Sequence, residues 1–228
     1  NLLLLDSPLP AYAITGRTMV NLLGKDGNCE DVSKWTATNT AVISLDASNQ
    51  KYGTNALKIA IGTGQSVGSA MLKTTMLSAG KYYIALVDCK NGNATYGQMQ
   101  MNFVSGSGYK YGGAIATTTY GTTYYKISPT DYASATEIDI YGLSYGTQGQ
   151  YTYFDGFRLY EIDLATYNKI DIDPEYTGER LAAKFPYVDS VQFKQNTLVS
   201  AKGKNLIPPF TSSEWTKHAN AVVNSDYS

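Results

Sequence analysis

The sequence predicts an all-β fold, a β-sandwich or barrel, on three observations. Short runs of strand-forming residues recur between turns rich in Gly, Asn and Ser. Three of those runs alternate apolar and polar residues with a period of two. Tyrosine and glycine number 20 and 21 in 228 residues, while charged residues make up only 16%. That composition suits strands joined by tight turns, with amphipathic rings left at the surface.

The elements follow in order. Residues 1–18 are proline-punctuated and weakly periodic, and read as a linker or the end of a preceding module in a longer polypeptide. Their four-leucine run lacks a basic flank and is too short for a signal peptide. No run reaches the ~18 apolar residues of a membrane helix. NLLGKDGNCEDVSKW (21–35) is dense in turn formers. AVISLD (41–46) and ALKIAI (56–61) are strands, the second with Leu57, Ile59 and Ile61 on one face. SAMLKTTM, KYYIALVDC and YGQMQMNFV come next, and in the last Met99, Met101 and Phe103 oppose Gln98, Gln100 and Asn102. YKYGGAIAT, TTYYKIS and TEIDIYGL follow, with Ile138 and Ile140 opposing Glu137, Asp139 and Tyr141. YTYFDGFRLYEI (151–162) closes the series, and strict alternation puts Asp155 on a buried face with Tyr153, Phe157 and Leu159. The body is thus expected over 19–162. A helix at 173–185, acidic early and with Lys184 late, falls in a linker at 163–201. Residues 202–228 read as the start of a further, truncated module.

Several functions are excluded or disfavoured. With 18 basic and 19 acidic residues, nothing points to nucleic acid or an anionic membrane. Catalysis lacks parts, since the lone histidine, His218, lies in the C-terminal segment far from Cys29 and Cys89. Zinc ligands are missing, and GTGQSVG lacks the P-loop lysine. Glu137 and Asp139, two apart on one strand, cannot flank a glycosidic bond from opposite sides. The two cysteines read as free, partly buried thiols or as a single bridge.

The polar strand faces offer a binding chemistry instead. Gln98, Gln100, Asn102, Tyr124, Lys126, Glu137, Asp139 and Tyr141 alternate with apolar neighbours. Amide and carboxylate groups hydrogen-bond sugar hydroxyls, and a tyrosine ring can lie against a sugar's C–H face. The same composition also suits a solvated strand surface. The clusters GYKYGG, TTYGTTYY and YGTQGQYTY read either as a binding surface or as β-propensity with turn packing.

NLLGKDGNCEDVSKWT, QKYGTNALKI, KYYIALVDCKNGN and YFDGFRLYEI, in that order, resemble the landmarks of carbohydrate-binding modules of the family 4/9/22 kind over residues 21 to 162. That resemblance implies a galactose-binding-like jelly roll with a sugar cleft on its concave face and a core role for Trp35. It also implies a structural Ca²⁺ held by Glu30 and Asp155, with backbone oxygens from near Asn28 and Lys51. From the residues alone, Asp155 could equally accept backbone N–H groups or pair with a Lys or Arg. The chain departs from the pattern at Cys29 (for Phe), Ala56 (for Ser) and Gly156 (for a second Asp). The flanks GRTMVNLLG, FPYVDSVQ and KGKNLIPPFTSSEWTKHANAV resemble connectors in tail or minor structural proteins of phages and prophages of Gram-positive bacteria. The expected function is therefore a non-catalytic module of a virion tail protein that binds host cell-surface glycan or serves as a spacer. Other tail subunits are expected partners. A homo-oligomer is in keeping with that style, although no heptads support it. The alternative is a carbohydrate-binding, extracellular appendage of a secreted polysaccharide-degrading enzyme.

Overall fold

The computed structural model describes residues 14–189 and 191–198. His218 and the segment 202–228 lie outside the described residues. Backbone contacts divide the chain into two units, Thr18–Gln192 and a terminal one whose described residues are 14–17 and 193–198. The strands are β1 (Ile14–Val20), β2 (Thr36–Thr38), β3 (Val42–Asp46), β4 (Ala56–Ala60), β5 (Val67–Lys73), β6 (Tyr82–Asn91), β7 (Tyr96–Val104), β8 (Gly108–Tyr111), β9 (Gly121–Ile127), β10 (Glu137–Tyr145), β11 (Tyr151–Ile162) and β12 (Val191–Leu198). Among the described residues three short α-helices punctuate them, α1 (Pro129–Tyr132), α2 (Leu164–Lys169) and α3 (Gly178–Lys184).

Two five-stranded antiparallel sheets, in the orders β2-β5-β10-β7-β8 and β3-β4-β11-β6-β9, face one another as a jelly-roll sandwich. β1 and β12 pair in a separate two-stranded sheet. We call the first five-stranded sheet the open sheet and the second the covered sheet. The alternating runs place their bulky residues as the period predicts. Leu57, Ile59, Met99, Met101, Phe103, Ile138 and Ile140 all join the inter-sheet core. Trp35 packs there too, tilted on Phe157 with ring centroids 4.6 Å apart. Cys29 and Cys89 are buried free thiols, and burial pushes both well above the ordinary thiol range.

The closing strand corrects the simple alternation. β11 pairs with β6 as Asp155 opposite Asp88 and then Arg158 opposite Leu86. Gly156 and Phe157 thus face one residue, Val87, which makes a β-bulge. The bulge reverses the side on which each later residue falls. Phe157 and Leu159 enter the core, while Asp155 pairs across to Asp88 on the sheet's outer side, not on the Phe157 face. Gly156 adopts φ +64, and an added Cβ there would lie 2.5 Å from the Tyr52 ring. A second aspartate, as the resembling modules carry, would meet both a left-handed backbone and that ring. Gly156→Ala is therefore expected to cost at least about 2 kcal/mol of unfolding free energy in urea titrations.

The two outer faces differ. Behind the covered sheet, Met19, Ile84, Leu86, Tyr160, Ile162, Ile170, Leu181, Phe185 and Val188 form a second buried cluster. Residues 163–189 supply four of these, from α2's C-terminal end through α3 to Val188. The expected helix at 173–185 appears as a 3-10 turn at Pro174–Tyr176 and then α3. The chain enters and leaves this body at one corner. Buried Asn21 donates Nδ2 to Val188 O (3.0 Å) and to Phe157 O (3.4 Å), and its Oδ1 accepts from Leu159 N and Leu23 N.

Candidate functional site

The open sheet presents a grid whose rows follow from strand register. One row runs Met71, Tyr141, Gln100, Tyr111 across β5, β10, β7 and β8. A flanking row runs Lys73, Asp139, Asn102, Tyr109. On the other side lie Thr38, Ser69, Leu143, Gln98 and then Val67, Tyr145, Tyr96. Period two puts these side chains on the outer face because Ile138, Ile140, Met99 and Met101 between them fill the core.

This face holds a hollow of about 400 Å³ lined by Thr38, Asn39, Val67, Ser69, Gln100, Tyr109, Tyr111, Tyr141, Leu143 and Tyr145. Its floor is polar in the middle and aromatic at the rim. Gln100 is nearly buried, flanked in its row by the rings of Tyr141 and Tyr111. Tyr145 stacks on Tyr96 with centroids 4.5 Å apart, which fixes one wall. Asn39 Nδ2 donates to Ser69 Oγ at 3.2 Å. Tyr109 and Tyr111 are among the exposed large hydrophobic residues. Amide and hydroxyl groups between tyrosine faces can hydrogen-bond hydroxyls and stack against an apolar ring face.

The eight residues expected to bind sugar do not form one group. Gln100 and Tyr141 line the hollow. Gln98 lies beside it but donates Nε2 to Gly112 O at 2.7 Å. Asn102 and Asp139 sit in the flanking row, Asn102 Nδ2 reaching Asp139 Oδ2 at 3.4 Å. Asp139 Oδ1 is buried without a hydrogen-bond partner, and burial, then the Glu137 charge, raises its carboxyl above the ordinary range. Glu137 is tied to Lys73 at 2.8 Å. Tyr124 and Lys126 belong to β9 of the covered sheet, on its outer side opposite Leu86 and Ile84. They therefore cannot contribute to the hollow. Tyr109, Tyr111 and Tyr145 take their place, drawn from two of the tyrosine clusters.

A second constellation joins the opening turn to the closing strand. Asp155 Oδ2 accepts from the amides of Lys51 (2.7 Å) and Tyr52 (2.9 Å). Glu30 accepts from Thr54 N and Oγ1 and from Asn55 N and Nδ2, at 2.5–3.1 Å. Asn28 Oδ1 accepts from Glu30 N, shaping the turn. Both carboxylates thus grip one loop, 51–55. Asp155 Oδ1 stays buried without a well-formed hydrogen bond, and burial lifts its carboxyl to about 7 against the pull of the Tyr52, Lys51 and Gly156 amides. Beside it, Asp88 receives Arg158 Nη1 (2.8 Å), Tyr52 OH (2.8 Å), Thr122 Oγ1 (2.5 Å) and Lys51 Nζ (3.0 Å). Arg158 and Lys51 hold Asp88 below the usual carboxylate range despite its burial. Among the described residues no cluster of three or more His, Cys, Asp and Glu side chains is set to hold a metal. A hard cation here would therefore rest on Asp155 and Glu30 with carbonyl oxygens. The orphaned Asp155 oxygen fits that role, whereas the Glu30 oxygens are already engaged.

No protein-family model and no curated protein matches the sequence. Solved structures are similar at low identity. The CBM22-1 xylan-binding domain of Paenibacillus barcinonensis Xyn10C is 13% identical, with a TM-score of 0.48 over 66% of this chain and 98% of that domain. The C-terminal family 22 carbohydrate-binding module of Clostridium thermocellum Xyn10B is 18% identical, with a TM-score of 0.45 over 68% of this chain and 96% of that one. The enzymatically active domain of bacteriophage CBA120 tailspike protein 4 is 16% identical, with a TM-score of 0.48 over 63% of this chain. This chain spans 22% of the tailspike structure. The jelly roll stands on its own strand order. Among the described residues no helix is long and apolar enough to cross a membrane.

Proposed function

We propose that this chain is a non-catalytic glycan-binding module of a phage or prophage tail-associated protein, taking host cell-surface polysaccharide in the hollow of its open sheet. The observation that carries the reading is the contrast between the two outer faces. One is covered over its middle by a hydrophobic cluster; the other carries the tyrosine-rimmed hollow around Gln100. Adjacent incoming and outgoing chain, bonded through Asn21 and Val188, supports a module that projects from a longer chain over an in-line spacer. The role asked of the site is binding alone, since Glu137 is consumed by Lys73 and shares one strand face with Asp139.

Affinity electrophoresis through gels carrying xylan, β-1,4-galactan or purified host cell-wall polysaccharide tests binding. Retardation in at least one gel is expected, and migration equal to a non-binding control in all would end the reading. Antibody labelling of virions tests the setting. Signal on tails is expected; signal confined to the secreted fraction would move the module to an enzyme appendage.

We also propose a structural Ca²⁺ at the open Asp155 oxygen, where it would neutralise the buried carboxyl beside the loop that Glu30 holds. The pH dependence carries the test. Asp155 has a folded value near 7 against about 3.9 unfolded. The folded state thus holds the extra proton between those values, and stability falls as pH rises through that window. In EGTA the melting temperature is expected to be lower at pH 8 than at pH 5. Added Ca²⁺ should raise it at pH 8 more than at pH 5, by keeping the carboxylate charged. Identical melting in Ca²⁺ and EGTA at pH 8 would remove the ion.

A further inference from the structure

A second cavity, of about 280 Å³, lies beside α2 and is lined by Tyr111, Tyr124, Tyr125, Lys126, Tyr167 and Asp171. It is built from different elements than the hollow. Tyr124 and Lys126 project from the outer side of β9, Tyr167 from α2, and Asp171 from the turn after it. Tyr111, at the end of edge strand β8, is the exception, because it lines both cavities. A Cβ added at Gly112, the next residue, would lie 2.3 Å from Thr123 Oγ1 and 2.9 Å from Tyr124 O. The open sheet's edge, still bonded to β7 through Gly112 N and Ile115, thus lies against edge strand β9 of the covered sheet at this point, and the two cavities meet at one exposed ring.

The polar groups of the second cavity are held in place. Tyr124 OH donates to Asp171 Oδ1 at 2.6 Å. Lys126 Nζ donates to Ile170 O at 2.9 Å and lies 3.6 Å from Asp171 Oδ2. The same ammonium sits 5.0 Å from the centroid of the Tyr167 ring. Asp171 adopts φ +71, a conformation uncommon outside glycine, which aims its carboxylate at these partners. That carboxylate is still half-exposed. Fixed aromatic faces beside a fixed carboxylate and ammonium repeat the chemistry of the hollow, with charge added.

We infer that the second cavity is a distal subsite for the same glycan, so that the ligand is a polysaccharide chain long enough to cross the sandwich edge over Tyr111. The inference rests on the glycan reading of the hollow and extends it, because continuity through Tyr111 selects one polymer over two separate ligands. A chain seated in the hollow passes Tyr111 and stacks a further ring against Tyr167. Its hydroxyls donate to Asp171 and accept from Lys126. Oligomers confined to the hollow gain nothing from this cavity, so affinity depends on length in two stages.

The test uses the full chain, the polysaccharide that retards it in the gels above, and oligosaccharides of two to ten residues cut from that polymer, titrated by calorimetry. Affinity is expected to rise with length, level off, and rise again by at least 10-fold in the longest members. Tyr167→Ala should abolish the second rise and leave affinity for the short members unchanged. Tyr167 also contacts Tyr82, so Asp171→Gly provides a second variant that suits the positive φ and removes only the carboxylate; it should also lower affinity for the long members alone. A single plateau in the wild type, or long-chain affinity untouched by both variants, overturns the distal subsite while the glycan reading stands. Equal loss for short and long members also overturns it. No retardation by any polysaccharide brings down both.

Discussion

Arg158→Met is expected to lower the free energy of unfolding by about 3–5 kcal/mol, measured by urea denaturation at pH 7. Arg158 is 1% exposed and Asp88 is fully buried. The guanidinium also donates Nε to Phe185 O at 2.7 Å and Nη1 to Gly156 O at 2.8 Å. It therefore stitches three things together, namely the bulge on β11, the charge on β6 and the segment that covers the sheet's outer face. Removing it leaves a buried carboxylate with Lys51, a third exposed, as its remaining ionic partner, and two carbonyls without their donor. The loss should come mostly from the stranded charge, which a second substitution can isolate. Adding Asp88→Asn to Arg158→Met is expected to recover part of the deficit, so that the double variant loses less than the sum of the singles. Additive losses, or a single loss under ~1 kcal/mol, would show that the pair does not hold this junction.

Tyr141→Ala is expected to weaken glycan binding by about 30-fold, on the order of 2 kcal/mol, with little change in melting temperature. Its ring stands in the hollow beside Gln100 rather than in the sandwich core, so truncation removes contact area for a ligand more than packing. Gln100→Ala should weaken binding to a similar degree for a different reason, the loss of an amide between two rings. Lys73→Ala, which frees Glu137 at the sheet's far corner, is the control that should leave binding within about 2-fold.

Much of the core could be read from the sequence, because a two-residue period has one physical meaning in a half-buried strand. Met99, Met101 and Phe103 illustrate it, and so do Ile138 and Ile140. The bulge broke the same reading at Asp155. One extra residue reverses every later side chain, and the sequence marks it only by Gly156. The meeting of opening turn and closing strand followed from the resemblance, yet the partners of Glu30 and Asp155 are the amides and side chains of loop 51–55, which no local pattern announces. The candidate site was half legible. Alternation identified Gln100 and Tyr141 as outward-facing, but it carries no information on which sheet a strand joins. Tyr124 and Lys126 therefore alternate just as the residues of the opposite sheet do. Tyr109, Tyr111 and Tyr145 stood in clusters whose binding and packing readings look alike until register sets Tyr111 opposite Gln100. The cover over the second sheet is illegible in the sequence because Ile170, Leu181, Phe185 and Val188 are too sparsely spaced to suggest a core.

The central claim is that the open sheet's hollow, and not the junction at Asp155, receives the glycan. The most direct measurement is an amide ¹H–¹⁵N spectrum of the full chain titrated with oligosaccharides of the retarding polysaccharide. Shifts at Ser69, Gln100, Tyr109, Tyr111, Tyr141 and Tyr145, with residues 51–55 and 30 unmoved, are the predicted result. Shifts centred on residues 51–55, or a spectrum that stays unchanged at saturating oligosaccharide, would contradict it.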